Sequence, residues 1–469
     1  MSLILQRRVE VTDPHDCTDA ADDLSILGAI CETLVRRTPD GFVPGLARAW
    51  SCNDDATEWT FELVPNRRFD DGSPVDAAAV AASLQRMARP DRGATLGAPA
   101  VWRQYLGDLQ VITPAADRLV LRLPAPMADL LDVLVQGFIA APGCLPALDD
   151  GRTEALVGSG AYRLSSAAQD EVRLEATGDA PNASLTLRAE PDAGRRLKRL
   201  LAGEAAVATN LPWDSTLPRG FTRVETLVPV AIIYLMNAAQ GPLADPRLRR
   251  AIDLALDRDQ IVARVMAGGA QRLDAIVSPL HFGGPAPRQT GPDREASRRL
   301  LAEAGHADGL TLTVSCPTRL PDEAQRLTAV LAEQLAAVGI RLDVTLTEDR
   351  TAYAHSVRKK QIGDLAVFDS SPLSTFRVMH EKIDSRVAGS WWQGFSNPAV
   401  EALIDRARAT PAPGPRASLY SQACAAMQQD PPWLTLYNPI RVTGLAGDHP
   451  GFTLPVDAVP DFAALPRLP

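Results

Sequence analysis

The residues best placed to contact a small molecule lie together between positions 364 and 397. Residues 365–368 are apolar and predict a buried strand, with Phe368 at its end and Asp369 in the loop 369–372 that follows. In open α/β sheets, ligands bind outside the carboxyl ends of the strands. The pattern therefore predicts a site here, with Phe368 as an aromatic wall and Asp369 as a charged contact. Alternatively, Asp369 only caps the next helix.

Polar side chains continue on the predicted helix that begins at Ser374. Arg377 has the geometry to hold a ligand carboxylate through charge-assisted hydrogen bonds, each contributing about 1.5–3 kcal/mol. Arg377, Glu381 and Asp384 also follow helical spacing, which fits an exposed ion pair between Arg377 and Glu381. Both interpretations stay open.

Two adjacent tryptophans, Trp391 and Trp392, form the second chemical feature of this segment. Successive side chains of a regular strand point to opposite faces, so the two indoles cannot both enter one core from a strand. We expect at least one of them to contact ligand.

The sequence lacks the motifs typical of hydrolases, NTPases and zinc proteases, namely G-x-S-x-G, G-x-x-x-x-G-K-[ST] and H-E-x-x-H. Its six histidines lie far apart and its six cysteines form no C-x-x-C pair. We therefore expect no catalytic residues, no metal site and no cofactor. An even number of cysteines permits disulfides, and buried thiols fit the sequence equally well.

The overall composition limits the class of protein. A length of 469 residues predicts two or three lobes, and a net charge of -9 argues against a nucleic-acid partner. No apolar run is long enough to span a bilayer, and residues 1–5 are too short for the core of a signal peptide. Either an export signal has been removed ahead of this sequence, or the protein is cytoplasmic.

Several stretches show the periodicity of an α/β fold. Alternating apolar residues predict strands over 310–314 and 340–346, with a helix between them that ends at Gly339. Strand, helix and strand in this length predict a parallel βαβ unit. Residues 231–235 form another apolar strand, and Asp245 is a plausible N-cap for a helix that begins at Pro246.

Five turn-and-strand blocks within residues 26–87 resemble, in their order, the start of the extracytoplasmic solute-binding proteins of the peptide, dipeptide and nickel import family, family 5. The blocks are residues 32–35, 40–50, 59–63, 68–75 and 83–86. A run from Tyr234 to Arg258 and the glycine turn at 157–164 resemble the same family, although Ala161 stands where a proline is common.

This resemblance implies an α/β fold of the type II (cluster C) periplasmic binding proteins, with two lobes, a hinge and a small β-rich extra domain. The implied boundaries are 1–38, 151–233 and 440–469 for the first lobe, 39–150 for the extra domain and 234–439 for the second lobe.

The resemblance also implies a function. We expect a periplasmic, monomeric substrate-binding component of an ABC importer, whose export signal has been removed from this sequence. It would capture a short peptide, an opine-like compound or another amino-acid-derived solute between its lobes and deliver it to the permease subunits. The alternatives are a cytoplasmic solute-sensing domain of a transcriptional regulator and a nickel- or metallophore-binding protein.

Finally, the resemblance assigns roles to single residues. Asp369 matches an aspartate that pairs with the ligand's α-amino group in peptide-binding relatives, and Trp102, Arg103 and Gln136 lie where relatives carry cleft residues. Tyr437 and Asn438 fit the returning hinge strand, where a structural role is expected. The complete set of expected ligand contacts is Phe368, Asp369, Ser374, Arg377, Trp391, Trp392, Trp102, Arg103 and Gln136.

Overall fold

The computed structural model describes residues 2–16, 19–93, 100–287, 291–319 and 321–469. The chain divides into two compact units. Unit 1 contains the described residues up to Val228 and from Ile440 to Pro469, and unit 2 contains Pro229–Pro439. The separate extra domain and the lobe boundaries expected from the sequence stay predictions. Within the described ranges, no helix is long and apolar enough to cross a membrane.

Unit 1 combines one mixed sheet with smaller β-structures and short helices. Its strands are β1 (Ser2–Gln6), β2 (Val35–Thr38), β3 (Gly41–Pro44), β4 (Ala47–Cys52), β5 (Glu58–Leu63), β6 (Gln110–Ala115), β7 (Arg118–Arg122), β8 (Tyr162–Ala168), β9 (Glu171–Ala176), β10 (Ser184–Ala189), β11 (Val207–Leu211) and β12 (Phe221–Leu227). Its helices are α1 (Ala21–Ile30), α2 (Ala77–Met87), α3 (Val101–Leu106), α4 (Leu130–Leu134), α5 (Leu145–Asp149) and α6 (Ala193–Leu201), with 3-10 turns at Pro142–Cys144 and Thr153–Ala155.

In the main sheet of unit 1, β1 runs parallel to both β10 and β11, and β9 and β8 extend the sheet antiparallel beyond β10. Residues 440–446 pair antiparallel with β12 and, in part, with β11. A second sheet has the order β4-β5-β7-β6, and β2 and β3 form a hairpin. The alternating residues Trp59, Phe61 and Leu63 are buried on one face of β5, as their spacing predicts.

Unit 2 is a mixed α/β unit. Its strands are β13 (Ala231–Met236), β14 (Ala270–Arg272), β15 (Leu310–Pro317), β16 (Ile340–Thr347), β17 (Leu365–Ser370) and the first part of β18 (Trp433–Ala446). Its helices are α7 (Pro246–Ala255), α8 (Arg258–Met266), α9 (Arg294–Glu303), α10 (Ala324–Ala336), α11 (Arg350–Arg358), α12 (Thr375–Lys382), α13 (Pro398–Arg408) and α14 (Pro413–Gln429), with a 3-10 turn at Pro242–Ala244.

In the sheet of unit 2, the carboxyl ends of the three parallel strands β15, β16 and β17 lie at the same end of the sheet. β15 pairs in parallel with both β16 and β17, while β13 pairs antiparallel with β17 and with residues 433–437. The parallel βαβ unit predicted from the sequence is confirmed, with α10 between β15 and β16 and Gly339 at a φ of +89°. Asp245 caps α7 as predicted, because its side chain accepts the N–H of Arg247.

Two boundaries differ from the prediction. Strand β17 continues through Ser370, so Asp369 and Ser370 belong to the strand and the loop begins at Ser371. The sheet partners of Asp369 and Ser370 on β13 extend the ladder by these two residues. The proline-rich stretch 410–415 suggests a surface loop from its composition, but residues 413–415 form the first turn of α14, where a missing proline N–H is tolerated.

In unit 1, a buried charged cluster around His15 fixes the loop after β1 to α2. Arg86 donates hydrogen bonds of 2.8 and 2.6 Å to the carboxylate of Asp13 and one of 2.8 Å to Nδ1 of His15. The Nε2–H of His15 donates to the carbonyl oxygen of Phe138 at 3.1 Å. Burial lowers the pKa of His15 to about 4; Asp13 opposes this shift and Arg86 adds to it. Protonation of Nδ1 would turn this acceptor into a donor facing a guanidinium.

We expect His15 to make the protein less stable in mild acid. Its folded-state pKa of about 4 lies below the ordinary 6.5, so the unfolded chain binds a proton that the folded protein excludes as the pH falls from 6.5 toward 4. The stabilising contribution is full above pH 6.5 and is lost across that window. Between about pH 7.5 and about pH 5, wild type should lose about 2 kcal/mol more unfolding free energy than His15→Gln. Urea denaturation measures this, and equal losses in the two proteins would contradict the prediction.

Candidate functional site

Strand β17 places Phe368 and Asp369 at the edge of the sheet where three parallel strands end. Asp369 is paired opposite Ile232 of β13. The alternative that Asp369 caps the next helix is wrong: the N-cap of α12 is Ser374, whose hydroxyl accepts the N–H of Arg377 at 3.1 Å. Ser374 therefore has a capping contact, and its expected contact with ligand stays a prediction.

The carboxylate of Asp369 lies beside a cation that the sequence did not single out. Its Oδ1 is 3.6 Å from Nη2 of Arg350, and its Oδ2 accepts the hydroxyl of Ser371 at 2.8 Å. The side chains of Asp369 and Arg350 are 30% and 17% exposed. A separation of 3.6 Å is an ion pair but exceeds the length of a hydrogen bond. Arg350 therefore attracts the carboxylate electrostatically but donates no hydrogen bond to it.

Arg350 is positioned by aromatic rings rather than by acceptors. Its guanidinium carbon lies 5.2 Å from the ring centroid of Phe368 and 5.7 Å from that of Tyr353, within cation–π range. Its Nε and Nη1 are buried and have no hydrogen-bond partner in the part of the chain that the structure describes. Tyr353 is itself fixed, because its hydroxyl donates to the carbonyl oxygen of Val367 at 2.6 Å.

The sequence contained a signal for Arg350, namely its position at the start of the helix that follows the predicted strand 340–346. The carboxyl ends of β16 and β17 lie at the same end of the sheet because both strands are parallel to β15. Residues just after the two strands are therefore near neighbours in space. Spacing within a single segment could not show this, because residues 350 and 369 are separated by a helix and a turn.

An aromatic pair completes the surface around Asp369. The rings of Phe368 and Trp391 have centroids 4.8 Å apart, and both side chains are largely buried. Trp391 lies in a turn and Trp392 in the irregular segment after it, so neither belongs to a strand. Trp392 is partly exposed and donates its indole N–H to the carbonyl oxygen of Phe395 at 2.6 Å. Contact of either tryptophan with ligand stays a prediction.

Helix α12 is buried along its whole length, including its charged residues. Arg377 and Glu381 are 5% and 3% exposed, so the alternative of an exposed surface ion pair is wrong. Asp384 lies beyond the helix, which ends at Lys382. Lys382 donates to the hydroxyl of Ser370 at 3.1 Å and so joins the end of α12 to the end of β17. Arg377 as a ligand contact stays a prediction.

The three expected contacts in unit 1 make contacts of their own. Trp102 is fully buried and donates its indole N–H to the carbonyl oxygen of His15 at 3.1 Å. Arg103 is exposed and forms a 2.5 Å ion pair with Asp108. Gln136 is half-buried and donates to Asp19 at 2.8 Å. These contacts favour a packing role for Trp102, and the ligand-binding roles of all three stay predictions.

Tyr437 and Asn438 have the structural contacts expected of them. The amide of Asn438 donates to the carbonyl oxygens of Pro229 and Val230 at 3.2 and 2.8 Å, and the hydroxyl of Tyr437 donates to Glu323 at 2.7 Å. Both side chains are buried, and burial raises the pKa of Tyr437.

Cys144, Cys316 and Cys424 are buried free thiols, and burial raises the pKa of Cys424 to about 12. Cys17 lies outside the described residues. Within those residues, no group of three histidine, cysteine, aspartate or glutamate side chains could hold a metal ion.

Comparison with known proteins identifies relatives along nearly the whole chain. A model of the bacterial extracellular solute-binding proteins, family 5 Middle, matches residues 41–376. The chain is 25% identical over 467 residues to the glutathione-binding protein GsiB of Salmonella paratyphi A, and the match covers 95% of this chain and 90% of GsiB.

Solved structures show the same fold. The chain is similar to the binding protein AgaA of A. tumefaciens R10 in complex with agropinic acid, with a TM-score of 0.81, 20% identity and 98% and 96% coverage of the two chains. A dipeptide-binding protein of Pseudoalteromonas sp. SM9913 in complex with Met-Leu gives a TM-score of 0.80, 16% identity and 97% coverage of both chains. The α/β periplasmic binding protein fold expected from the sequence is confirmed.

We expect the loop that carries the tryptophans to tolerate no side chain at Gly394. Gly394 has a φ of +93°, and an added Cβ would lie 2.2 Å from the backbone nitrogen of Ala239. Gly394→Ala should therefore lower the unfolding free energy by about 2–4 kcal/mol. Gly414→Ala is the control, because a Cβ there meets nothing within 4 Å. Denaturant unfolding compares them, and equal midpoints would show that the close approach to Ala239 is absent.

Proposed function

Because the chain belongs to the bacterial extracellular solute-binding proteins of family 5, we propose that unit 2 binds a small solute carrying both an amino group and a carboxylate. The observation that supports this ligand class is the loose pairing of Asp369 with Arg350 over the aromatic surface of Phe368 and Trp391. One anionic and one cationic group side by side match the two charges of an amino-acid head group.

Asp369 receives the ligand's amino group. Its Oδ1 makes no hydrogen bond to Arg350 at 3.6 Å, and its side chain keeps 30% of its surface exposed. An ammonium group that reaches this oxygen forms a charge-assisted hydrogen bond, which contributes about 1.5–3 kcal/mol. This is the role that the family resemblance assigns to the residue.

Arg350 receives the ligand's carboxylate and replaces Arg377, the cation favoured by sequence spacing. Its Nε and Nη1 have no acceptor among the described residues, and a buried donor without a partner costs about 1–3 kcal/mol. The two oxygens of a carboxylate match the guanidinium edge formed by Nη1 and Nη2, and such a pair supplies Nη1 with its missing acceptor. Because Nε and Nη1 are shielded from solvent, binding includes a rotation of the guanidinium toward the ligand.

The relatives support the same ligand class. GsiB is named as a glutathione-binding protein, and one structural neighbour holds the dipeptide Met-Leu. Glutathione and dipeptides both carry a free amino group and a free carboxylate. These relatives favour an extracellular solute-binding protein over the alternatives of a cytoplasmic sensing domain of a transcriptional regulator and a metallophore-binding protein.

The same proposal covers the protein's working context. The protein acts as a monomer in the periplasm, binds its solute without converting it, and delivers it to the permease subunits of an ABC importer. The family match supports the extracellular location and the transport context. The set of ligand contacts proposed here is Asp369, Arg350, Phe368 and Trp391, with Trp392 as a further candidate because of its partial exposure.

Isothermal titration calorimetry with glutathione, the Met-Leu dipeptide and glucose tests the ligand class. We expect at least one of the two peptides to bind, and Arg350→Gln and Asp369→Asn each to raise its dissociation constant about 10–100-fold through the loss of a charge-assisted contact. Arg358→Gln is the matched control at the other end of α11 and should leave the constant unchanged. Tight binding of glucose, with no effect of Asp369→Asn, would contradict the proposal.

A further inference from the structure

The loop that carries Trp391 has no regular secondary structure, so other contacts must fix the position of its indole. Residues 388–395 follow the turn after α12 and precede α13. Ala388 adopts a positive φ of 46°, and Gly394 one of 93°. Without a helix or strand ladder, the backbone polar groups of such a loop need partners elsewhere.

Lys360 provides those partners. Its Nζ donates to the carbonyl oxygen of Gly389 at 2.9 Å and to that of Ser390 at 2.8 Å, the two residues directly before Trp391. The same ammonium lies 6.0 Å from the ring centroid of Trp392. The ammonium group of Lys360 therefore contacts the two residues before Trp391, through their carbonyl oxygens, and the residue after it, through the indole ring of Trp392.

The loop backbone also packs closely against α12. A Cβ added at Gly389 would lie 2.2 Å from the carbonyl oxygen of Glu381 in α12, so the loop backbone rests directly on that helix. Burial lowers the pKa of Lys360 to about 8, and the charge of Glu381 opposes this shift. Lys360 is therefore still a cation at neutral pH, and the negative charge of Glu381 favours this charged form.

Helix α11 and the turn directly after it thus contact two parts of the proposed surface. Its first residue, Arg350, stacks on Phe368, and Lys360 follows its last turn at Lys359. The side chain of Gln393 reinforces the attachment by donating to the carbonyl oxygen of Val357, also in α11, at 2.9 Å. The indole of Trp391 is then placed against Phe368, at 4.8 Å between centroids.

We infer that Lys360 is a positioning residue for solute binding: it holds the loop 388–395 on α11 and so sets the place of Trp391 in the binding surface. This inference rests on the proposed function for the ligand contact of Trp391. The attachment of the loop to α11 can be measured without any ligand.

The first test measures the loop in the free protein. In Lys360→Met, which keeps an unbranched apolar stem and removes the cation, the backbone amide of Trp392 should exchange with deuterium at least about tenfold faster. This amide donates to the carbonyl oxygen of Gly389, which Lys360 also contacts. Lys359→Met is the matched control, because its exposed neighbouring side chain should leave the exchange unchanged. Unchanged exchange in Lys360→Met would overturn the inference.

The second test measures binding of glutathione and Met-Leu. Lys360→Met should raise the dissociation constant about 5–30-fold, and Lys360→Arg, which retains a cationic donor, should restore most of the affinity. In a Trp391→Leu background, Lys360→Met should have little further effect, because both changes act on the same contact. Additive effects would overturn the inference while leaving the proposed function intact. If neither probe binds wild type, the proposed function fails and the exchange test still decides the role of Lys360.

A folding control separates positioning from general support. Circular-dichroism melting should show Lys360→Met and Lys360→Gln folded, with the glutamine variant, which can donate to one carbonyl group, intermediate in amide exchange. If both variants fail to fold, Lys360 supports the whole unit, and the positioning role is overturned.

Discussion

Buried cations that donate to backbone carbonyl groups hold the irregular segments of this protein in place. Arg196 in α6 donates to the carbonyl oxygen of Glu190 at 2.6 Å, and to those of Thr209 and Asn210, where the pairing of β11 is irregular, at 2.8 and 2.6 Å. Arg249 in α7 donates to carbonyl groups in the segments before α7 and after α14. Burying an unpaired cation costs several kcal/mol, and so does burying unpaired carbonyl groups. Each partner removes the penalty of the other, so a loop can pass through the interior without a strand or helix ladder.

The candidate binding surface depends on this same interaction. Its aromatic and charged residues come from α11, from the end of β17 and from a loop, which are brought together only in the folded chain. Strand β17 is fixed by its sheet neighbours, but the loop has no such ladder. Lys360 supplies the missing attachment, and Lys382 joins the end of α12 to Ser370 in a similar way. The surface is therefore attached to the end of α12 through Lys382 and to the turn directly after α11 through Lys360.

Two charge pairs, Arg86 with Asp13 and Arg350 with Asp369, differ in how completely their hydrogen bonds are formed. In the cluster around His15, Arg86 and Asp13 meet at 2.6 Å, and the cation is almost fully enclosed. Arg350 and Asp369 lie 3.6 Å apart, keep part of their surface exposed, and leave donor groups of the arginine without acceptors among the described residues. A pair whose donors and acceptors are all used has no free hydrogen-bonding group for a ligand. The pair at the end of β17 still has donor groups without acceptors among the described residues, and these can bind a ligand.

The sequence by itself determined the features that depend on neighbours along the chain. The strands β15 and β16, the apolar period of α10 and the cap at Asp245 follow from local geometry, and the structure shows all of them, although Val344 and Leu346 of β16 are exposed. The apolar run ending at Phe368 likewise located the strand end that carries Asp369. Only the tertiary structure decided which cation stands beside Asp369, how deeply α12 is buried and what holds the tryptophan loop. Helical spacing at Arg377 is the same for an exposed and a buried residue, and Arg350 reaches Asp369 only because β16 and β17 end at the same edge of one sheet.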